Sequence, residues 1–295
     1  MNYKKPTKAI ITDAGFASRF LPLTKTVPKA MIPIAAKPVM QLCVEECIEA
    51  GIEEIIIVAT PNSKSKEIYE DYFHNPSENV RTLLEKQGKS ERFEPVAKVL
   101  NFPKITVIEQ DPSLPYGNGS PIASARRFIN DDEAFIVIYS DDLVMGSSDA
   151  KTLIESYEAH PEAKAIIAAQ EMPEKVWNKY GMIAMKDTEK QTLSHIVEKP
   201  KTPELSPSNL TSYGRYLLTP EVFNYLDPEN TGLDGELWTV DAITKMAETG
   251  DVFIEKTKGH WMTTGDPKNY MLALLDYVLK NEDYADDVRK FVAEN

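Results

Sequence analysis

A long basic loop near the start of the chain carries the clearest chemical signal in the sequence. Residues 14–44 contain no aspartate or glutamate, although these acids make up 46 of the 295 residues, so that an average stretch of this length would hold about five. The same stretch contains Arg19, Lys25, Lys29 and Lys37. Clustered positive charge and free backbone N–H groups are typical of loops that bind phosphate.

The elements around this loop follow from short apolar runs rich in β-branched residues. Because the runs are almost continuously apolar, they predict buried strands at residues 8–12, 54–59, 105–109, 134–139 and 165–169. Helical patterns lie between them, at 38–50 and from Ser120, as N-cap, to about residue 128. This alternation predicts a Rossmann-like α/β fold with a mixed, mainly parallel sheet flanked by helices. Ligands of such sheets bind beyond the carboxyl ends of the strands, where the basic loop begins.

The second half of the chain is less regular, but no linker or repeat divides it. Strands are predicted at 180–185, 193–198, 211–218 and 252–256, and helices at 220–225, 240–248 and 268–281. We therefore expect a single domain over residues 1–280 and a C-terminal helical extension over 266–295. Residues 281–295 are acidic and amphipathic, which is compatible with a surface helix or with a subunit contact.

Composition excludes several classes of protein. A net charge of −13 argues against binding polymeric nucleic acid through bulk electrostatics, because phosphate backbones need a basic face. The longest apolar run, residues 55–59, is far too short to span a membrane. Cys43 and Cys47 are too few for a disulfide framework and are spaced as core residues on one helix face. A cytoplasmic protein is expected.

Seven motifs in order resemble the sugar-1-phosphate nucleotidylyltransferases. The segment DAGFASRFLPLTKTVPKAMIPIAAKP is similar to that family's signature AGxGTRxLPxTKxxPKxMxP. The others are EQDPSLPYGNG, IVIYSDDLV, YGMIA, IVEKP, SNLTSYGRYLLTPEVF and GELWTVDAI. Together they cover about residues 8–280, and they imply a nucleotide-binding part over about 1–145 and a sugar-binding part over 146–265.

The resemblance implies a reaction that needs no general base. UTP and glucose 1-phosphate would give UDP-glucose and pyrophosphate by in-line attack of an anionic phosphate oxygen at the α-phosphorus, with Mg²⁺ as cofactor. Catalysis would then rest on positioning and on neutralisation of charge. The family's habit also implies a homodimer or homotetramer.

The resemblance assigns roles to individual residues. Catalytic roles fall on Arg19, Lys29, Asp141 and Lys199, with Asp141 as the Mg²⁺ ligand. Nucleotide binding falls on Ala14, Gly15, Gln110, Gly117 and Asp142, with Gln110 reading uracil. Sugar binding falls on Gly181, Glu198, Lys199, Asn209, Gly214 and Glu236. From the residues alone, an exposed acidic turn remains the alternative for Asp141 and Asp142, and a charged strand end for residues 198–200.

Five positions depart from the family pattern, of which Ser18 for threonine is a mild change. Ala17 replaces a glycine, Ala30 replaces an acid associated with the base, and Thr263 stands where a second metal-binding aspartate is expected. An acid has appeared at Asp13, which we interpret as compensation for the acid lost at position 30. The changes leave other functions open beside that of an enzyme with one carboxylate on the metal. These are an enzyme with a different base or sugar, and a weak or inactive member that binds nucleotide or sugar nucleotide as a regulatory partner.

Overall fold

A nine-stranded sheet forms the centre of the computed structural model, which describes residues 3–229, 231–232 and 235–294. The strands of the described part are β1 (Lys8–Asp13), β2 (Pro33–Ile34), β3 (Lys37–Pro38), β4 (Glu54–Ala59), β5 (Lys104–Glu109), β6 (Phe135–Tyr139), β7 (Asp142–Met145), β8 (Ala165–Glu171), β9 (Gly181–Asp187), β10 (Thr192–Glu198), β11 (Leu210–Leu218), β12 (Val252–Lys256) and β13 (His260–Thr263). The sheet has the order β5-β4-β1-β6-β11-β8-β12-β10-β9. Small ladders β7–β13 and β2–β3 lie outside it.

The first half of the sheet is parallel. β1 lies between β4 and β6, so that Ile10 is opposite Ile56 on one side and Val137 on the other. β11 then pairs antiparallel with β6 and β8, and β10 pairs antiparallel with β9 and β12. The predicted mixed α/β fold with a parallel core is confirmed, and the antiparallel strands belong to the second half of the chain.

Helices cover both faces of the sheet. The described helices are α1 (Val39–Glu49), α2 (Ser65–His74), α3 (Glu78–Lys86), α4 (Glu94–Leu100), α5 (Gly119–Ser124), α6 (Asp149–Ala159), α7 (Thr239–Thr249), α8 (Pro267–Lys280) and α9 (Ala285–Glu294). Successive residues of β1 alternate between two apolar cores: Ile11 packs in the core with α1 and α6, and Ile10 in the core with α5 and α7. Burial on both faces explains why the strands read as continuous apolar runs.

Some local predictions were wrong in detail. Ser120 is not the N-cap of its helix: α5 begins at Gly119, and the Ser120 hydroxyl donates to the carbonyl of Pro115 at 2.5 Å. The helix predicted at 220–225 is a short 3₁₀ turn, Pro220–Asn224. Gly51 ends α1 as predicted, with a φ of 80° that favours glycine. No helix of the described residues is long and apolar enough to cross a bilayer.

Candidate functional site

A cavity of about 320 Å³ lies where β1, β5 and β6 end. The basic loop after β1 forms one side of it, and the segment after β5 forms another. Seven of the predicted site residues are in the described part of its wall: Ala14, Gly15, Lys29, Gln110, Gly117, Asp141 and Glu236. The structure thus brings together, at the carboxyl edge of the parallel strands, residues that are up to 222 positions apart in sequence. We call this the central cavity.

Lys29 and Asp141 form the charged centre of the central cavity. The Lys29 Nζ lies 2.7 Å from Asp141 Oδ2, and 15% of the lysine side chain and 33% of the aspartate side chain are exposed. Burial alone would lower the pKa of Lys29, but Asp141 and Asp13 raise it. Burial would raise the pKa of Asp141, and Lys29 lowers it. Both groups are therefore held in their charged forms, ready for a phosphate and a cation.

Thr263 shares the space beside Asp141. A Cβ on Gly265 would lie 3.1 Å from Asp141 Oδ2 and 3.2 Å from Thr263 Oγ1, so both oxygens border the same small space. The described residues contain no group of three or more histidine, cysteine, aspartate or glutamate side chains that could hold a metal. One carboxylate and one hydroxyl nevertheless fit Mg²⁺, which takes one or two carboxylates and completes its shell with water and substrate phosphates.

The base end of the cavity is built on a close backbone contact at Gly117. Its φ is 136°, and a Cβ there would lie 2.3 Å from the Leu237 carbonyl oxygen. The Leu237 N–H donates to Tyr116 and its carbonyl accepts from Gly119, both at 2.8 Å. This contact fixes the segment that presents Glu236 and Trp238 to the cavity, whose wall also includes Gln110.

Substituting Gly117 with alanine is expected to destabilise the protein by about 1–3 kcal/mol, because the new methyl group meets backbone and the conformation is strained. Urea unfolding measures the loss. Gly15→Ala is the matched control in the same wall, since a Cβ there has no neighbour within 4 Å and the residue has no left-handed φ. Equal stability losses in the two variants would contradict this account of Gly117.

The predicted sugar-side residues lie next to the central cavity at the end of β10. Lys199 Nζ is 3.1 Å from Glu198 Oε1 and 5.6 Å from the ring of Trp238, which lines the cavity. Gly181 pairs with Glu198, whose Oε2 would be 2.9 Å from a Cβ at that glycine. The Lys199 ammonium group therefore lies beside the cavity wall at Trp238, with the Glu198 carboxylate next to it.

Asp142 is turned away from the cavity. Its carboxylate accepts hydrogen bonds from the Gly214 N–H at 2.9 Å and from the Trp261 Nε1 at 2.7 Å. Burial, together with the charge of Asp141, raises the pKa of Asp142 to about 7. Asp142 and Gly214 thus support the loop that carries Asp141, and the structure does not bring either of them to the described wall as a ligand group.

Two other predicted residues are not in the wall. Arg19 is exposed, and its charge contributes to the electrostatics of Asp266, which directly precedes α8. Burial would raise the pKa of Asp266, but hydrogen bonds from residues 268–269 and the charge of Arg19 lower it. Asn209 is exposed just before β11, and its carbonyl accepts from the Met172 N–H at 2.8 Å. Their roles toward pyrophosphate and sugar stay predictions.

Asp13 lies in the wall of the central cavity, and its compensation for the acid absent at position 30 stays a prediction. Its carboxylate accepts from the hydroxyls of Tyr69 and Ser140, the latter at 2.8 Å, while Ala30 lies in the apolar core at 1% exposure. Burial raises the pKa of Asp13, and the charge of Lys29 and the hydrogen bonds from Tyr69 and Ser140 oppose that shift. Asp13 therefore belongs to the charged centre of the cavity with Lys29 and Asp141.

A buried ion pair that the sequence analysis missed holds the Asp141 loop. Arg215 is fully buried in β11 and binds both carboxylate oxygens of Glu46 on α1, at 2.9–3.1 Å. Its guanidinium also donates to the carbonyls of Tyr139 and Asp142, on either side of Asp141. Burial would lower the pKa of Arg215, but Glu46 raises it. An arginine inside an apolar strand was the signal in the sequence, because such a charge needs a buried partner.

Comparisons with known proteins agree over almost the whole chain. A family model described as nucleotidyl transferase matches residues 8–279. The chain is 38% identical to UTP–glucose-1-phosphate uridylyltransferase 2 of Staphylococcus saprophyticus, over 98% of each chain. It is also 38% identical to UTP–glucose-1-phosphate uridylyltransferase of Bacillus subtilis, over 98% of this chain and 97% of that one. A crystal structure of UDP-glucose pyrophosphorylase complexed with UDP-glucose has a TM-score of 0.79 at 31% identity and covers 94% of this chain and 100% of the other.

Proposed function

The chain belongs to the nucleotidyl transferase family, and we propose that it joins UTP to glucose 1-phosphate, with UDP-glucose and pyrophosphate as products. The observation that carries this proposal is the ion pair of Lys29 and Asp141 in one cavity with Gln110, with Lys199 at its edge. The resemblance to sugar-1-phosphate nucleotidylyltransferases seen in the motifs is confirmed by the family match and by the full-length relatives. The substrates come from the names of those relatives and from the crystallised complex.

The arrangement supports a mechanism of positioning and charge neutralisation. Gln110 and the Gly117 turn would hold uracil, since an amide side chain offers both a donor and an acceptor to the base edge. Lys29 would neutralise the α-phosphate under attack, and Lys199 would hold the phosphate of the sugar on the opposite side. The nucleophile is an anion already, so the chain supplies no general base.

We assign Mg²⁺ to Asp141, with the Thr263 hydroxyl beside it. The cation would offset negative charge on the nucleotide phosphates. Lys29 pairs with Asp141 at 2.7 Å, so its ammonium would neutralise charge on the same phosphates. Arg19 would meet the leaving pyrophosphate from the exposed part of the basic loop.

A pyrophosphate-release assay tests the function, with UTP, dTTP, ATP, CTP and GTP each paired with glucose, galactose and N-acetylglucosamine 1-phosphates. We expect turnover that needs both substrates and a divalent cation, with UTP and glucose 1-phosphate as the best pair. Thr263, which lacks a carboxylate, favours the second candidate, a non-catalytic nucleotide-binding member. Nucleotide binding in calorimetry without pyrophosphate from any pair would establish that candidate.

We also propose a homodimer or homotetramer in the cytoplasm. The support for self-association is the outer face of α8, where Met271, Leu272 and Leu275 are 51%, 47% and 42% exposed. Light scattering is expected to give a multiple of the 33.2 kDa chain mass, and Leu272→Lys to reduce it. A wild-type chain that scatters as a monomer at all concentrations would remove the proposal.

The proposed cytoplasmic location is supported by two cysteines, Cys43 and Cys47, that are both free and buried.

A further inference from the structure

We propose that Asp13 is a positioning residue that supplies the second negative charge of the cation site, in place of the acid absent at position 263. The inference rests on the proposed function, because it concerns the same site. Asp13 ends β1, lines the central cavity beside Lys29 and Asp141, and is only 5% exposed. Thr263 provides a hydroxyl next to Asp141 but no charge.

Asp13 is held in a built pocket. The hydroxyl of Tyr69 donates to Oδ2 and that of Ser140 to Oδ1, and these two donors are 0% and 1% exposed. Burying a carboxylate is costly unless hydrogen bonds and charge compensate it. Each oxygen can accept a further hydrogen bond, so the carboxylate is held in place and can still interact with its surroundings. Ser140 also precedes Asp141 directly, which ties the position of Asp13 to that of the predicted cation ligand.

The charges at the centre of the cavity explain how Asp13 would strengthen cation binding. Lys29 and Asp141 offset each other at 2.7 Å, Thr263 adds no charge, and Asp13 acts on Lys29 more strongly than Asp142 does, so Asp13 supplies the further negative charge of the centre. The affinity of an oxygen site for a divalent cation depends strongly on the number of its charged ligands and neighbours. When Asp141 turns to a cation, Asp13 is the carboxylate left to balance the Lys29 ammonium. Asp13 therefore acts through charge and through Ser140, not as a direct ligand.

The test measures binding of Mn²⁺ alone, by electron paramagnetic resonance of the free ion, without substrates. Asp13→Asn keeps the size of the side chain and is expected to weaken Mn²⁺ binding about tenfold, while Thr263→Asp tightens it by a similar factor. The Mn²⁺ affinity of the double variant should return to within about threefold of wild type, because the site then has the same number of carboxylates as before. Unchanged Mn²⁺ affinity in Asp13→Asn, or no recovery in the double variant, would overturn the proposal.

Asp149→Asn is the matched control. Asp149 is also a buried aspartate, at 1% exposure, and it too accepts from a tyrosine and a second hydroxyl, those of Tyr213 and Thr257. It does not line the central cavity, so its loss should cost stability and leave Mn²⁺ affinity unchanged. Should Asp13→Asn not fold, Asp13→Ala, which restores the small residue of the family pattern, takes its place. The Mn²⁺ measurement contains no substrate, so its result does not depend on whether the chain releases pyrophosphate. Failure of this inference and failure of the proposed function can therefore be told apart.

Discussion

Replacing Lys199 with alanine is expected to lower kcat/KM for glucose 1-phosphate about 100- to 1,000-fold, a loss of roughly 3–4 kcal/mol of transition-state stabilisation. Lys199 lies beside the wall at Trp238, and it is the charge that the proposed function places on the sugar phosphate. In the proposed function UTP does not contact Lys199. Its dissociation constant, measured by calorimetry, should therefore stay within about twofold of wild type.

Lys201→Ala is the control for Lys199, because it removes an exposed lysine two residues away on the same loop. It should leave both kcat/KM and UTP binding unchanged. A Lys199 variant that loses UTP binding as severely as it loses use of glucose 1-phosphate would show that this lysine serves the nucleotide. The assignment of the β10 end to the sugar side would then be wrong.

Replacing Arg215 with methionine is expected to lower the free energy of unfolding by about 3–5 kcal/mol, because it leaves Glu46 buried without its counter-charge. The same change frees the carbonyls of Tyr139 and Asp142 from their donor. Urea unfolding followed by circular dichroism measures the effect. The pair links α1 to β11 across 169 residues of sequence, so its loss should weaken the whole domain.

An exposed ion pair provides the comparison for Arg215. Lys256 and Glu171 are 2.8 Å apart with more than half of each side chain exposed, and Lys256→Ala should change stability little. Replacing both Glu46 and Arg215 by apolar residues should recover part of the loss, since no lone charge then remains buried. A single Arg215 variant as stable as the Lys256 variant would contradict the role given to this pair.

The parallel half of the fold was predictable because its strands are buried on both faces and read as apolar runs. The helices between β4 and β5 were not predicted: α3, for example, has no buried residue, and its apolar residues Val80 and Leu83 are exposed rather than packed on the sheet. The ladder of β7 with β13 joins residues more than 100 positions apart, with four residues in each strand. Such a pairing is fixed by tertiary contacts rather than by local pattern.

The cavity wall was largely predictable because charge and motif agreed: the acid-free loop carries Lys29, and the strand ends carry Gln110 and Asp141. The different surroundings of Asp141 and Asp142 have a simple cause. Neighbouring residues of an extended chain point to opposite sides, so two adjacent acids rarely face one cavity. Asp141 faces it, and Asp142, which begins β7, points to Gly214 and Trp261. The partners of Asp13 and Arg215 come from distant segments, and only the structure identifies them.

The most direct test of the central claim is a crystal structure of the chain with UDP-glucose and Mg²⁺. We expect uracil against Gln110 and Gly117, the diphosphate beside Lys29 and Asp141, and glucose next to Glu198 and Lys199, all in the one cavity. A ligand bound elsewhere, or a diphosphate outside hydrogen-bonding distance of Lys29, would contradict the account.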